Sequence, residues 1–220
     1  MIRRALLALL LLVLWLLGCA TPAQAAPPSA LNHVGNATRV VIVTTSTWAS
    51  TAGRATLWEK RGGSWVAARA NMYARIGRAG FKSDRREGDG STPAGKFPIR
   101  SAFGSQPSPG TRLAYRTVVA RTCWSGERRD YNTWVHRVCT SRDEDLYRAR
   151  ASAYRYAAVV GFNDNPAVWG KGSGIFFHQT LNQATSGCIA LGGNDIIATV
   201  RWLAPGSLVI MGPQSYVNGL

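Results

Sequence analysis

The sequence predicts one mainly β domain with a few short helices, and three observations carry that expectation. Short runs rich in β-branched and aromatic residues recur along the chain, bounded by Gly, Pro, Asn and Asp clusters. Only two stretches carry helix start signals. No internal repeat and no second compositional boundary interrupts residues 39–220, which are expected to form a single catalytic-size domain.

The elements follow in order. Val40-Val41-Ile42-Val43 opens the first strand, and Ala55 to Lys60 with Ser64 to Arg69 reads as a hairpin about Arg61-Gly62-Gly63. Residues 87–95, EGDGSTPAG, form a loop whose Asp, Ser and Thr side chains can bond nearby backbone. Tyr115 to Ala120, Tyr154 to Phe162, Ile175 to His178 and Leu208 to Met211 are further strand candidates. Ser141-Arg142-Asp143-Glu144 has capping-box spacing and predicts a helix towards Arg150. Asn194 is placed to cap a second helix through Trp202, stopped by Pro205-Gly206. Residues 26–38, rich in Pro, Ala, Asn and Ser, read as a short tether.

The first 25 residues read as an export signal. Arg3 and Arg4 precede an apolar run of 13 residues, Ala5 to Leu17, and Ala23-Gln24-Ala25 offers a small-x-small cleavage site. That run is short for a membrane-spanning helix. A second processing reading competes: Leu16-Leu17-Gly18-Cys19 is similar to a bacterial lipobox, which would leave a lipid on Cys19 and anchor the protein without spanning the membrane.

Net charge is +15, and removing Arg3 and Arg4 with the signal leaves +13. Of the 26 basic residues only Lys60, Lys82, Lys96 and Lys171 are lysine. Such a charge suits an anionic partner. In an exported chain a cell-wall polymer or membrane surface outranks nucleic acid, and the basic residues are dispersed rather than gathered on a basic helix or an aromatic-basic platform.

With Cys19 in the signal region, Cys123, Cys139 and Cys188 remain, an odd number for an oxidising compartment. Cys123 and Cys139 flank a polar, Arg-rich stretch, and pairing them would stabilise by roughly 3 kcal/mol on the chain-entropy model. Cys188 is then the unpaired thiol.

The three histidines, His33, His136 and His178, are far apart and no metal-ligand spacing is present, so neither a metal nor another cofactor is expected. Gly170-Lys171-Gly172-Ser173-Gly174 lacks the Ser or Thr and the following helix of a phosphate loop; glycines allowing close approach to the next strand explain it better. His178 and Cys188 are the remaining chemistry. A thiol attacks as thiolate, and histidine is its usual base. Gly187 after Ser186 lets consecutive amides turn towards one point, where an oxyanion could sit. Residues alone leave two readings side by side: this catalytic pair, or a buried structural thiol near a strand-ending histidine.

EGDGSTPAG, then GSGIFFH, then TSGCIAL, in this order over residues 39–211, resemble the L,D-transpeptidase catalytic domain of the YkuD/ErfK type. The resemblance implies a β-sandwich-like catalytic fold, with Cys188 as nucleophile and His178 as its base. It also implies peptidoglycan stem peptides as substrate, transpeptidation to a 3→3 cross-link, and L,D-carboxypeptidase activity if water replaces the acceptor amine. Many members carry Ser/Thr-His-Gly-Cys followed two places later by Arg; here Ser186 and Ala190 stand at those two positions, and the His178–Cys188 interval is shorter.

Overall fold

Strand β1 (Arg39–Thr45) explains its own sequence: it is buried on both faces, so Val40-Val41-Ile42-Val43 runs apolar without alternation. Val41 and Val43 enter the main core, and Val40 and Ile42 enter a second one behind the sheet. Each such side chain contributes about 1.5–3 kcal/mol when fully buried. The structure, a computed structural model, describes residues 26–220; the expected export signal, including Cys19, lies outside the described residues.

The predicted hairpin is β2 (Ala52–Arg61) and β3 (Ser64–Arg75), turning through Gly62 and Gly63, both at positive φ. The short strands β4 (Phe81–Lys82) and β5 (Thr92–Pro93) bracket the EGDGS loop. Then come β6 (Gly95–Gly104), β7 (Tyr115–Thr117), β8 (Thr122–Trp124), β9 (Trp134–His136) and β10 (Glu144–Asp145). The chain continues through β11 (Ala157–Val160), β12 (Phe176–Gln179), β13 (Ile189–Leu191), helix α1 (Gly193–Trp202), β14 (Leu208–Pro213) and helix α2 (Gln214–Asn218).

Nine strands form one sheet in the order β11-β12-β13-β3-β2-β1-β14-β6-β7, and β11 also pairs with β6, curling the sheet towards closure. The mainly β, sandwich- and barrel-like architecture is the one expected. Helix α1 places Ile196 and Val200 in the main core beside Val41, Leu57, Phe177 and Ile189. A separate three-stranded sheet, β10-β8-β9, covers a third apolar cluster built on Phe103, Tyr154 and Phe176. The Cys123–Cys139 disulfide ties β8 to the loop between β9 and β10, as expected from cysteine number.

Three expectations need correction. The helix predicted from Ser141 towards Arg150 is absent: this stretch is turns and strand β10. Asp143 is the reason. Its carboxylate accepts from the Thr140 amide (2.8 Å), the Gly126 amide (3.1 Å) and Arg137 (2.9 Å), anchoring the chain to the neighbouring loop instead of freeing it to coil. Glu144, the other half of the expected box, pairs with Trp124 in the sheet and accepts from Tyr154 Oη. Likewise, the stretch 26–38 is more than a tether. Ser29–His33 forms a 3₁₀ turn that buries Ala30 and Leu31, with Val34, against Val40, Trp58 and Ile210. The second helix begins at Gly193, one residue before the expected cap, with Gly192 at the N-cap.

Candidate active site

Parallel pairing of β12 with β13 brings the two predicted residues together. The register sets Phe177 against Ile189 and His178 against Ala190, which carries Cys188 back to the level of Phe176. Because side chains alternate across a strand, Phe177, Ile189 and Leu191 enter the main core. His178 and Cys188 project to the opposite face, as diagonal neighbours about 7–8 Å apart between Cα atoms. Both line one cleft of about 510 Å³, walled by the 85–88 loop, Glu144, Tyr154 and the 181–187 segment.

His178 is buried, and its Nδ1–H donates to the backbone carbonyl of Gln179 at 2.8 Å. That bond assigns the tautomer, leaving Nε2 with its lone pair for a substrate-side proton. Tyr154 packs edge-on against the ring at 5.7 Å and holds its plane, while its own hydroxyl donates to Glu144 at 2.8 Å. Burial draws the His178 pKa below its ordinary value, partly offset by the Gln179 carbonyl, so the ring is neutral at working pH.

Cys188 is half-buried and is the free thiol among the described residues. Its Sγ–H donates to the Gly174 carbonyl at 3.3 Å. Burial pushes the thiol up to about 12; the Phe176 amide and Arg85 pull it down and Glu144 adds to the rise. The resting pair is therefore thiol and neutral imidazole, joined by no direct hydrogen bond, and the thiolate forms only as its proton leaves.

The turn before the cysteine is built as expected but its amides are not arranged as expected. Thr185 Oγ1 donates to the Cys188 carbonyl (2.7 Å) and accepts from the Gly187 amide (3.1 Å). The Gly187 N–H is thus engaged inside the turn and is no oxyanion donor, which corrects that part of the Ser186-Gly187 expectation. Gly187 is needed for another reason: its φ is +144°, and a Cβ there would sit 2.8 Å from the Ser91 carbonyl. Ser186 is exposed and its hydroxyl accepts from Arg78 at 3.0 Å.

Other motifs serve the cleft from behind. Asp89 accepts from the Ser91 amide (2.8 Å) and hydroxyl (2.6 Å) and from the Arg86 amide (3.1 Å), closing the EGDGS loop. Glu87 accepts from Ser173 (2.8 Å) and from the Tyr131 hydroxyl. Sequence reasoning missed Tyr154 and Arg85. Tyr154, at the start of the strand predicted over 154–162, lies instead in the 3₁₀ turn Ala153–Arg155 that precedes β11. Arg85 sits in the charged run KSDRRE, whose composition describes a solvated loop, yet it is 4% exposed. His33 and His136 are exposed on other elements and take no part.

The sequence profile described as the YkuD L,D-transpeptidase catalytic domain matches residues 39–211. Among solved structures, L,D-transpeptidase 1 of Mycobacterium tuberculosis is similar at 15% identity and a TM-score of 0.38, over 80% of this chain and 62% of that one. The helical cell shape determining protein Pgp2 of Campylobacter jejuni is similar at 16% identity and a TM-score of 0.39, over 84% of this chain and 54% of its own. The chain thus spans between half and two thirds of the length of these neighbours. No protein of curated function matches it.

Proposed function

The chain belongs to the L,D-transpeptidase catalytic domain family, and from that membership we propose that it is an exported cysteine acyltransferase that remodels peptidoglycan. The observation that carries the assignment of roles is the placement of His178 and Cys188 on one face of adjacent parallel strands, opening into a shared cleft with the imidazole tautomer set by Gln179.

In this reading Cys188 Sγ attacks the carbonyl of the third residue of a tetrapeptide stem as His178 Nε2 takes the thiol proton. The carbon–nitrogen bond to the terminal D-Ala breaks, and the proton passes from His178 to the departing amine. A thioester remains on Cys188. The side-chain amine of a second stem then attacks that thioester, losing its proton to His178, and the thiol is restored as the 3→3 amide forms. The lowered pKa of His178 keeps the ring unprotonated and available at rest and makes the imidazolium a strong acid towards the leaving amine, at the cost of base strength towards the thiol. Export is proposed from the N-terminal signal, with cleavage near Ala25 or lipidation at Cys19; the mass of the mature N-terminus distinguishes them.

The test is incubation of the protein with a disaccharide tetrapeptide and mass analysis of the products. A dimer lacking one D-Ala is the expected result. Tripeptide alone would reassign the protein as an L,D-carboxypeptidase on the same thioester route. Absence of both products, with no adduct at Cys188, would leave a wall-binding module and sink the enzymatic reading.

A further inference from the structure

Arg85 carries a buried charge whose one ion pair, with Asp89, is long, and whose Nε and Nη1 receive no hydrogen bond from the fold. It lies between β4 and β5, with its side chain only 3% exposed, and its Nε and Nη1 are buried without a hydrogen bond. The nearest carboxylate oxygen, Asp89 Oδ1, is 4.0 Å from Nε and already accepts from Ser91 twice. The Phe162 ring, 5.6 Å away, adds a cation–π contact but no acceptor. Other acids of the cleft are turned elsewhere: Glu87 to Ser173, Glu144 to Tyr154. A buried charge held by one long ion pair and a cation–π contact is weakly compensated for its desolvation, which leaves it able to take a further anionic partner.

Two glycines let the backbone pack closely against this guanidinium. A Cβ on Gly172 would lie 2.4 Å from Nη1, and one on Gly187 would lie 3.3 Å from Nη2. Gly187 directly precedes Cys188, so Nη2 points at the turn that presents the nucleophile, and Arg85 lines the same cleft as His178. Residue 190, two places after the cysteine, is alanine, so the nucleophile's own strand brings no cation to the cleft. The cation reaches this cleft from a different part of the chain.

Resting on the transpeptidase reading, we propose that Arg85 is a substrate-binding residue that anchors the free α-carboxylate of the leaving residue, one residue beyond the scissile bond. A stem ending in an acid would reach Nη2, the guanidinium nitrogen on the Gly187 side that is not among the enclosed ones, through a charge-assisted hydrogen bond and seat the third carbonyl over Sγ. The site thereby reads the length of the stem: an extra residue moves the carboxylate out of reach.

Two measurements on the full chain test this, each comparing wild type with Arg85→Met and Arg85→Lys. The first reads Cys188 alkylation by anionic iodoacetate against neutral iodoacetamide, located by peptide mass and normalised to glutathione. Wild type is expected to favour the anion by about tenfold or more, Arg85→Met to lose the preference, and Arg85→Lys to keep part of it. An unchanged ratio in folded Arg85→Met overturns the anion site. The second compares stems ending in a carboxylate with stems ending in an amide. Wild type should prefer the acid by roughly 10- to 100-fold in kcat/KM and Arg85→Met should level the two. An equal loss on both stems overturns the carboxylate assignment in favour of an oxyanion role. Arg85→Met is expected to melt at or above the wild-type Tm, because the buried charge it removes has only a long ion pair and no hydrogen bond at Nε or Nη1; a purely structural arginine would give the reverse. Should Arg85→Met fail to fold, that outcome counts against the proposal and Arg85→Lys carries the ratio. A wild type that processes neither stem defeats the transpeptidase reading alone, since the alkylation ratio still decides the anion site.

Discussion

A thiol held near 12 and an imidazole drawn below its ordinary range are both uncharged at neutral pH, which shapes how the two residues act. Iodoacetamide alkylation of Cys188 should therefore keep rising beyond pH 9, without the early plateau of a preformed thiolate–imidazolium pair. A plateau at or below pH 7 would contradict the neutral resting pair. Stem processing should hold its rate down to a pH below the ordinary histidine range, because His178 protonates only there. His178→Gln should slow acylation by about 10²–10⁴ with the fold intact, checked by rate and by circular dichroism. Cys188 and His178 were legible in the sequence because a lone thiol, a glycine turn and a nearby histidine form a pattern. Arg85 was not, since burial of an arginine inside a charged run depends on Phe162, Gly172 and Gly187, which are distant in sequence.

Among the elements, the loop between β4 and β5 does the most to position the cleft, and Asp89 holds it. Hydrogen bonds from Ser91, Arg86 and Lys82 outweigh burial and drive its carboxyl well below the ordinary carboxylate range. A depressed folded pKa means the stabilisation is complete above the unfolded value and is lost as pH falls through the folded one. Asp89→Asn should cost about 1–3 kcal/mol in urea unfolding at neutral pH. The difference from wild type should shrink as the pH is lowered beneath the ordinary carboxylate range; a difference that stays constant would place the effect in packing instead. The loop was readable from its composition, and β1, the β2–β3 turn, β14 and α1 from their apolar patterns. The stretch 141–150 was not, because Asp143 obtains its partners from Gly126 and Arg137, and local spacing cannot register donors brought by another loop.

At the scale of the whole molecule, the curled sheet, the small sheet and the disulfide act together. Reducing Cys123–Cys139 should raise the accessible thiol count of residues 26–220 from one to three under denaturation and lower stability by roughly 3 kcal/mol. Denaturant melts with and without reductant measure this, and unchanged midpoints would show the bond to be dispensable. The charge of +13 that residues 26–220 carry predicts retention on an anionic wall polymer that weakens as salt is raised through the physiological range. The architecture was legible in outline, but closure through β11 and β6 was not, because such a pairing joins edges that no local pattern connects. The parallel pairing of β1 with β14 has a consequence in time. Val40 lies beside Leu208, 168 positions later, so the first strand to be synthesised waits for almost the last before its second edge is covered. A chain that cannot complete its sheet until its last strand is made keeps an unpaired edge open for nearly the whole of its synthesis.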